Sequence, residues 1–184
     1  MNFNKYKNRL FGRIKGRSKK KINIKEYYGL LKKYEINTLD NKVKYILDIG
    51  TGYGETSLYL SKKYPSHTII ACEKYINGNL NLLKQIQINN ISNIKIHAGN
   101  VHDILDNNKK KNFLNSVWIF FPDPWPKKKH FKRRLITSEF LSKIYPFINN
   151  NGKIYIATDS SSYLRSILKT IFVSKNLYEW INQQ

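Results

Sequence analysis

From Val43 onward, short apolar runs alternate with longer segments whose apolar positions recur at helical spacing. Tyr45-Ile46-Leu47-Asp48-Ile49 predicts a buried strand. Glu55 to Tyr64 predicts a helix, with Leu58 and Leu60 apolar and Lys62-Lys63 near its end. The alternation continues with a strand at Thr68–Glu73, a helix at Ile76–Asn89 and a strand at Ile94–His97. A short helix near Val101–Leu105, a fourth strand at Ser116–Phe121 and a helix at Thr137–Ile148, interrupted or bent by Pro146, come next. Asn149-Asn150-Asn151-Gly152 predicts a turn, Lys153–Thr158 a fifth strand and Ser160–Val173 a last helix. Ahead of this pattern, Lys25–Tyr34 predicts a short helix with Tyr28, Leu30 and Leu31 on one side. Residues 1–25 predict a basic arm, because Gly12, Gly16 and dense like charge oppose a stable helix.

Strands alternating with helices of this length predict an α/β fold, with a mostly parallel sheet and helices on both faces. Ligands of such sheets bind outside the carboxyl ends of the strands. Those ends carry Gly50-Thr51-Gly52-Tyr53-Gly54, Glu73, Gly99-Asn100, Pro122-Asp123-Pro124-Trp125 and Asp159. The pattern contains no internal repeat and no second domain. The expected division is a basic arm over 1–25 and one domain over 26–184.

Composition narrows the class. The 184 residues are 41% hydrophobic, enough for one buried core. No apolar run is long enough to span a bilayer, and the start lacks the apolar stretch of a signal peptide. A soluble, cytoplasmic protein without membrane association is expected, and a monomer. The lone Cys72 sits in an apolar run and reads as a buried hydrophobe. The four histidines show no metal-ligand spacing, so no metal is expected.

The net charge of +21 attracts polyanions. Abundant Lys, Asn, Ile and Tyr together fit an AT-biased genome, which supplies part of the Lys excess but not its placement. Residues 1–25 hold ten Lys/Arg and no acid, and residues 127–134 hold six Lys/Arg in eight positions. Neither cluster carries the apolar face of an interfacial helix, so nucleic acid is favoured over a membrane surface.

Gly50-x-Gly52-x-Gly54 follows a predicted strand and opens a predicted helix, which lets backbone approach a ligand closely. A flexible loop explains such glycines too. Glu73 ends the next strand, where a carboxylate can accept both ribose hydroxyls of a nucleoside. The glycine spacing is tighter than the dinucleotide form. Asp48 would repel a pyrophosphate and suits a ligand carrying an ammonium and a sulfonium. Asn100 could pair with adenine through its amide, and a turn residue after Gly99 explains it nearly as well.

The most specific segment runs from Phe120 to Arg134 and puts a carboxylate, an indole and six cations past the fourth strand. An acid beside an aromatic suits a stacked, hydrogen-bonded base, and the cations suit flanking phosphates. Three prolines and a Trp in one short stretch fix a shape.

With Leu47-Asp48-Ile49-Gly50-x-Gly52-x-Gly54-Glu55, Glu73, Gly99-Asn100, Phe121-Pro122-Asp123-Pro124-Trp125-Pro126-Lys127-Lys128 and Thr158-Asp159, the chain resembles the bacterial tRNA (guanine-N7-)-methyltransferase family. Gly12-Arg13-x-x-Gly16-Arg17 is similar to that family's basic start. The resemblance implies a Rossmann-like class I methyltransferase fold, S-adenosyl-L-methionine as donor and a variable-loop guanine of tRNA as acceptor. It implies cofactor contacts from Asp48, Gly50, Gly52, Gly54, Glu73, Asn100 and Asp123, with Asp123 also catalytic. It implies guanine contacts from Lys127 and Asp159, and RNA contacts from Lys129, His130, Lys132, Arg133 and Arg134. Where the family usually has an acid, this chain has Asn100, and where it often has Glu, this chain has Asp48. The family continues with a Thr-x-x-Glu segment and closing antiparallel strands, which a chain ending at Gln184 is expected to lack. The competing readings are a tRNA-binding protein without activity, a methyltransferase of another RNA, and a nicotinamide enzyme.

Overall fold

The computed structural model describes residues 23–40 and 42–181. The arm expected over 1–25, with its Gly-Arg pattern, lies almost wholly outside the described residues. The chain forms α1 (Ile24–Tyr34), β1 (Lys44–Ile49), α2 (Glu55–Lys63), β2 (His67–Cys72), α3 (Ile76–Ile88), β3 (Ile94–His97) and α4 (Val101–Asn107). It continues through β4 (Leu114–Phe120), a 3-10 segment at Lys128–Arg133, α5 (Ser138–Ile144), β5 (Ile148–Ala157) and α6 (Ser161–Val173).

Among the described residues, five strands form one sheet, all parallel, in the order β3-β2-β1-β4-β5. Right-handed crossovers explain the layering. The chain winds outward from β1 to β3 and leaves α2 and α3 on one face. It then returns to β4 and β5 and leaves α4, α5 and α6 on the other. On the first face, Ile46, Ile69, Ala71, Ile94 and Ile96 belong to one core with Leu30 and Leu31 of α1, Leu60 of α2 and Leu82, Leu83 and Ile86 of α3. On the second, Leu47, Ile49, Ile70, Val117 and Ile119 share a core with Leu105 of α4, Phe140 and Ile144 of α5 and Tyr163 and Ile167 of α6. The reversal of direction falls between β1 and β4, the place where a crevice opens at the strand tips.

Two details depart from the sequence pattern. In α1 the inward tyrosine is Tyr27, 3% exposed, whereas Tyr28 is 59% exposed. Asn23 caps the helix by accepting from the Glu26 amide at 3.1 Å, and Tyr27 turns inward because it stands three and four residues before the buried Leu30 and Leu31. The turn expected at Asn149–Gly152 lies inside β5. Leu114 pairs with Ile148 and Ser116 with Lys153, so Asn115 alone stands opposite residues 149–152. The turn-forming residues bow out of the strand as an irregular bulge, and the pairing with β4 resumes beyond it. As expected of an interruption at Pro146, α5 stops at Ile144 and the chain continues in a 3-10 turn.

Tyr27→Ala is expected to destabilise the fold by about 3 kcal/mol, the cost of emptying a buried aromatic site. Tyr28→Ala is expected to stay within about 0.5 kcal/mol of the parent. Urea unfolding of the two variants reads the difference.

Candidate active site

The turn after β1 works only with glycine at its three key positions. Gly50, Gly52 and Gly54 have φ of +77°, +57° and +97°. A Cβ at Gly54 would come within 2.7 Å of Leu82 Cδ1 on α3. Gly78, also on α3, packs against the Gly52 carbonyl so closely that a Cβ there would collide with it. Nothing in the sequence spacing marks Gly78; only the crossing of α3 over the turn does.

Glu73 ties this turn to the tip of β2. Its Oε2 accepts from the Gly52 amide at 3.1 Å, and its Oε1 from the amides of Lys74 and Tyr75 at 2.7 and 2.9 Å. A carboxylate has about four acceptor positions, so one remains for a ligand hydroxyl. The backbone amide of Glu73 in turn reaches the His97 carbonyl at 3.1 Å, joining β2 to the tip of β3.

Across the crevice, β4 runs into Phe121-Pro122-Asp123-Pro124-Trp125-Pro126. Phe121 and Trp125 hold φ of +49° and +43°. Bulky residues rarely adopt that region, and each such residue costs on the order of 1–3 kcal/mol. Trp125 is braced by the edge of His130, with ring centroids 5.7 Å apart, and by the Arg133 guanidinium 5.0 Å from its ring centroid.

One cavity of about 590 Å³ joins the two sides. Ile49, Gly50, Cys72, Glu73, Tyr75 and Gly99 line it from the first three strands, and Phe121, Asp123, Trp125 and Arg133 from the segment after β4. Asp123 is exposed to this space. Cys72 is 2% exposed, and burial, with Glu73 and Asp48 nearby, pushes its thiol well up, so it lines the cavity as a small apolar wall.

Other residues singled out in the sequence stand elsewhere. Asp48 lies beneath the glycine turn, 2% exposed, and accepts from Ser57 Oγ at 2.6 Å. Its contact with the first turn of α2 removes it from the cavity wall. Burial pushes its carboxyl up to about 7; the Ser57 hydrogen bond lowers it and the Glu73 charge raises it further. Asn100 caps α4, its Oδ1 accepting from the His102 amide at 3.0 Å while the Asn100 backbone amide donates to Asp103 Oδ2 at 3.1 Å. That oxygen is thereby committed to the helix start. Lys127 precedes the 3-10 segment, exposed and outside the cavity wall. Asp159 is exposed between β5 and α6, also outside it. Lys129 and Lys132 face solvent, and His130 is half-buried against Trp125. Arg134, expected on the RNA side, is instead 4% exposed. The cavity-lining roles of Tyr75 and Arg133 were not readable from spacing, since both depend on how two distant strand tips meet.

A family model described as a putative methyltransferase matches residues 42–184. The tRNA (guanine-N(7)-)-methyltransferase of Buchnera aphidicola is 35% identical over 185 aligned positions, covering 96% of this chain and 76% of the relative. That of Wolbachia pipientis is 36% identical, covering 87% of this chain and 74% of the relative. The chain belongs to the tRNA (guanine-N7-)-methyltransferase family. Within this family, the relative from Neisseria meningitidis is 36% identical over 126 residues, and the chain spans about half of it, 53%. Among solved structures, precorrin-6y C5,15-methyltransferase from Geobacter metallireducens has a TM-score of 0.56 at 15% identity, covering 87% of this chain and 76% of that one. A putative methyltransferase from Thermoplasma acidophilum has a TM-score of 0.52 at 15% identity, covering 72% and 51%. These likenesses give this family member a Rossmann-like class I methyltransferase fold.

The Asp48 carboxyl titrates near 3.8 when unfolded and at about 7 when folded. As the pH rises from about 4 to about 7, the unfolded chain ionises first, so stability is lost across that window. Asp48→Asn is expected to remove this loss, so its urea midpoint should fall less than the parent's over the same window in the ligand-free protein.

Proposed function

We propose that this chain transfers a methyl group from S-adenosyl-L-methionine to N7 of a guanine in the variable loop of tRNA. The observation that carries the reading is the shared cavity, with the glycine turn and Glu73 on one wall and Asp123 and Trp125 on the other. The tRNA (guanine-N(7)-)-methyltransferase relatives support the choice of substrate.

The donor's features fit the residues present. The positive-φ glycine turn leaves backbone open to close approach, Glu73 retains acceptor capacity for a ribose hydroxyl, and Ile49, Cys72 and the Tyr75 ring offer apolar surface to adenine. When bound, S-adenosyl-L-methionine supplies an electrophilic methyl on a sulfonium. Guanine N7 carries a lone pair and no proton, so no base is needed to strip it. The work left to the protein is alignment, which is proximity catalysis. Trp125 gives the guanine a stacking surface. Asp123 accepts from the guanine N–H groups and stabilises the positive charge that moves onto the purine. Lys127 and Asp159 orient the base from outside the cavity wall, and Lys129, His130, Lys132 and the residue 1–25 arm supply backbone contacts. Asp48 and Asn100 act one layer back, beneath the glycine turn and at the start of α4.

Asp123→Ala is expected to lose about a hundredfold or more in turnover while tRNA binding stays near the parent's. Methyl transfer from labelled S-adenosyl-L-methionine to unmodified tRNA, followed by nucleoside mapping, tests this, and parent-like turnover would remove Asp123 from the mechanism. Gly78→Ala is expected to weaken S-adenosyl-L-methionine binding, read by calorimetry, because a methyl there displaces the Gly52 carbonyl. Replacing Lys129 and Lys132 by Ala is expected to lower the salt slope of tRNA binding by about one unit per lost phosphate contact. An unchanged slope would take those cations off the RNA path.

A further inference from the structure

The segment that carries Asp123 is held from behind by a residue whose sequence context suggests another job. Arg134 closes a run of six cations in eight residues, yet it is 4% exposed. Its Nε donates to the Pro124 carbonyl at 2.8 Å. Its Nη1 donates to the Ser162 carbonyl at 3.2 Å and its Nη2 to Ser162 Oγ at 3.0 Å. The guanidinium carbon lies 3.8 Å from the Phe131 ring centroid and 4.8 Å from that of Tyr163. Tyr163 is fully buried, and its hydroxyl accepts from the Ile136 amide at 3.0 Å. One planar group therefore joins the segment after β4 to the first turn of α6.

The bond to Pro124 matters because of where that carbonyl sits. It belongs to the peptide unit between Pro124 and Trp125, and the orientation of that unit sets the φ of Trp125. At +43° this φ is one that a bulky residue abandons unless something holds it. A guanidinium donates in a fixed fork and stacks flat between rings, whereas an ammonium on a flexible stem does neither.

We infer that Arg134 is a positioning residue: it locks the Pro124–Trp125 peptide plane against α6, so that Asp123 and Trp125 face the cavity, and it does not contact RNA. This rests on the methyltransferase reading above for its kinetic consequence and on the geometry alone for its structural one.

Arg134→Lys in the full chain separates the alternatives, since it keeps the charge and loses the fork. The expected result is a fall in kcat of about tenfold to a hundredfold, with KM for tRNA and for S-adenosyl-L-methionine within about twofold of the parent and the salt slope of tRNA binding unchanged. Hydrogen exchange should quicken across residues 121–133 and stay unaltered in β1, β2 and β3. Ser162→Ala, which removes the acceptor of Nη2 and a 3.3 Å contact with Ser160 Oγ while leaving the bonds of Nε and Nη1, should show a smaller fall of the same kind. Parent-like kcat in Arg134→Lys, or intact kcat with a salt slope lowered by about one unit, would overturn the inference. If Arg134→Lys fails to fold, unaltered exchange over residues 121–133 and unaltered kcat in Ser162→Ala overturn it instead. If the parent chain itself transfers no methyl group, the functional reading fails, and the exchange measurement still decides the positioning role.

Discussion

Glu73 is the point on which the ligand side of the molecule turns. By accepting from the amides of Gly52, Lys74 and Tyr75, one carboxylate fixes the tips of β1 and β2 relative to each other. Remove it, and three backbone amides at the edge of the crevice lose their acceptor. The glycine turn would then keep its packing against α3 but lose its side-chain tie to β2, and the wall that faces Asp123 would lose that brace. Glu73 thus shapes the site before any ligand arrives, and its remaining acceptor position is a by-product of that structural task.

The alternation of strands and helices was legible because it is written in local hydrophobic spacing. The first four strands and the helices between them fall within a few residues of the pattern's expectation, whereas β5 begins five residues early, at Ile148. The glycine turn, Glu73 and the Pro-Asp-Pro-Trp segment were legible for a second reason: parallel sheets bring the carboxyl ends of their strands together. Tyr27 rather than Tyr28 faces inward because it stands three and four residues before Leu30 and Leu31, a helical spacing the sequence already carries. What the sequence hid depends on how distant elements meet. The asparagines after Ile148 look like a turn but bulge within a strand, since β4 continues to pair on both sides of them. Asp48 and Asn100 stand beside the right elements and spend their oxygens on helix starts.

Charge was the least transparent signal. A run of six cations reads as one surface, yet the fold divides it. Lys129 and Lys132 stay in solvent, Arg133 leans over an indole, and Arg134 turns into the protein between two rings. Spacing along a 3-10 segment changes direction by about a third of a turn per residue, so neighbours in sequence point to different places. Counting basic residues therefore overstates how many can meet a phosphate backbone at once.

The two left-handed residues that bracket Pro-Asp-Pro have a consequence for transplanting this motif. Neither Phe121 nor Trp125 would choose its backbone conformation in isolation. The shape belongs to the scaffold, to the strand on one side and to the helix start beneath it on the other. Grafted onto a different loop, the same five residues would relax, and the acid would point wherever its new neighbours left room.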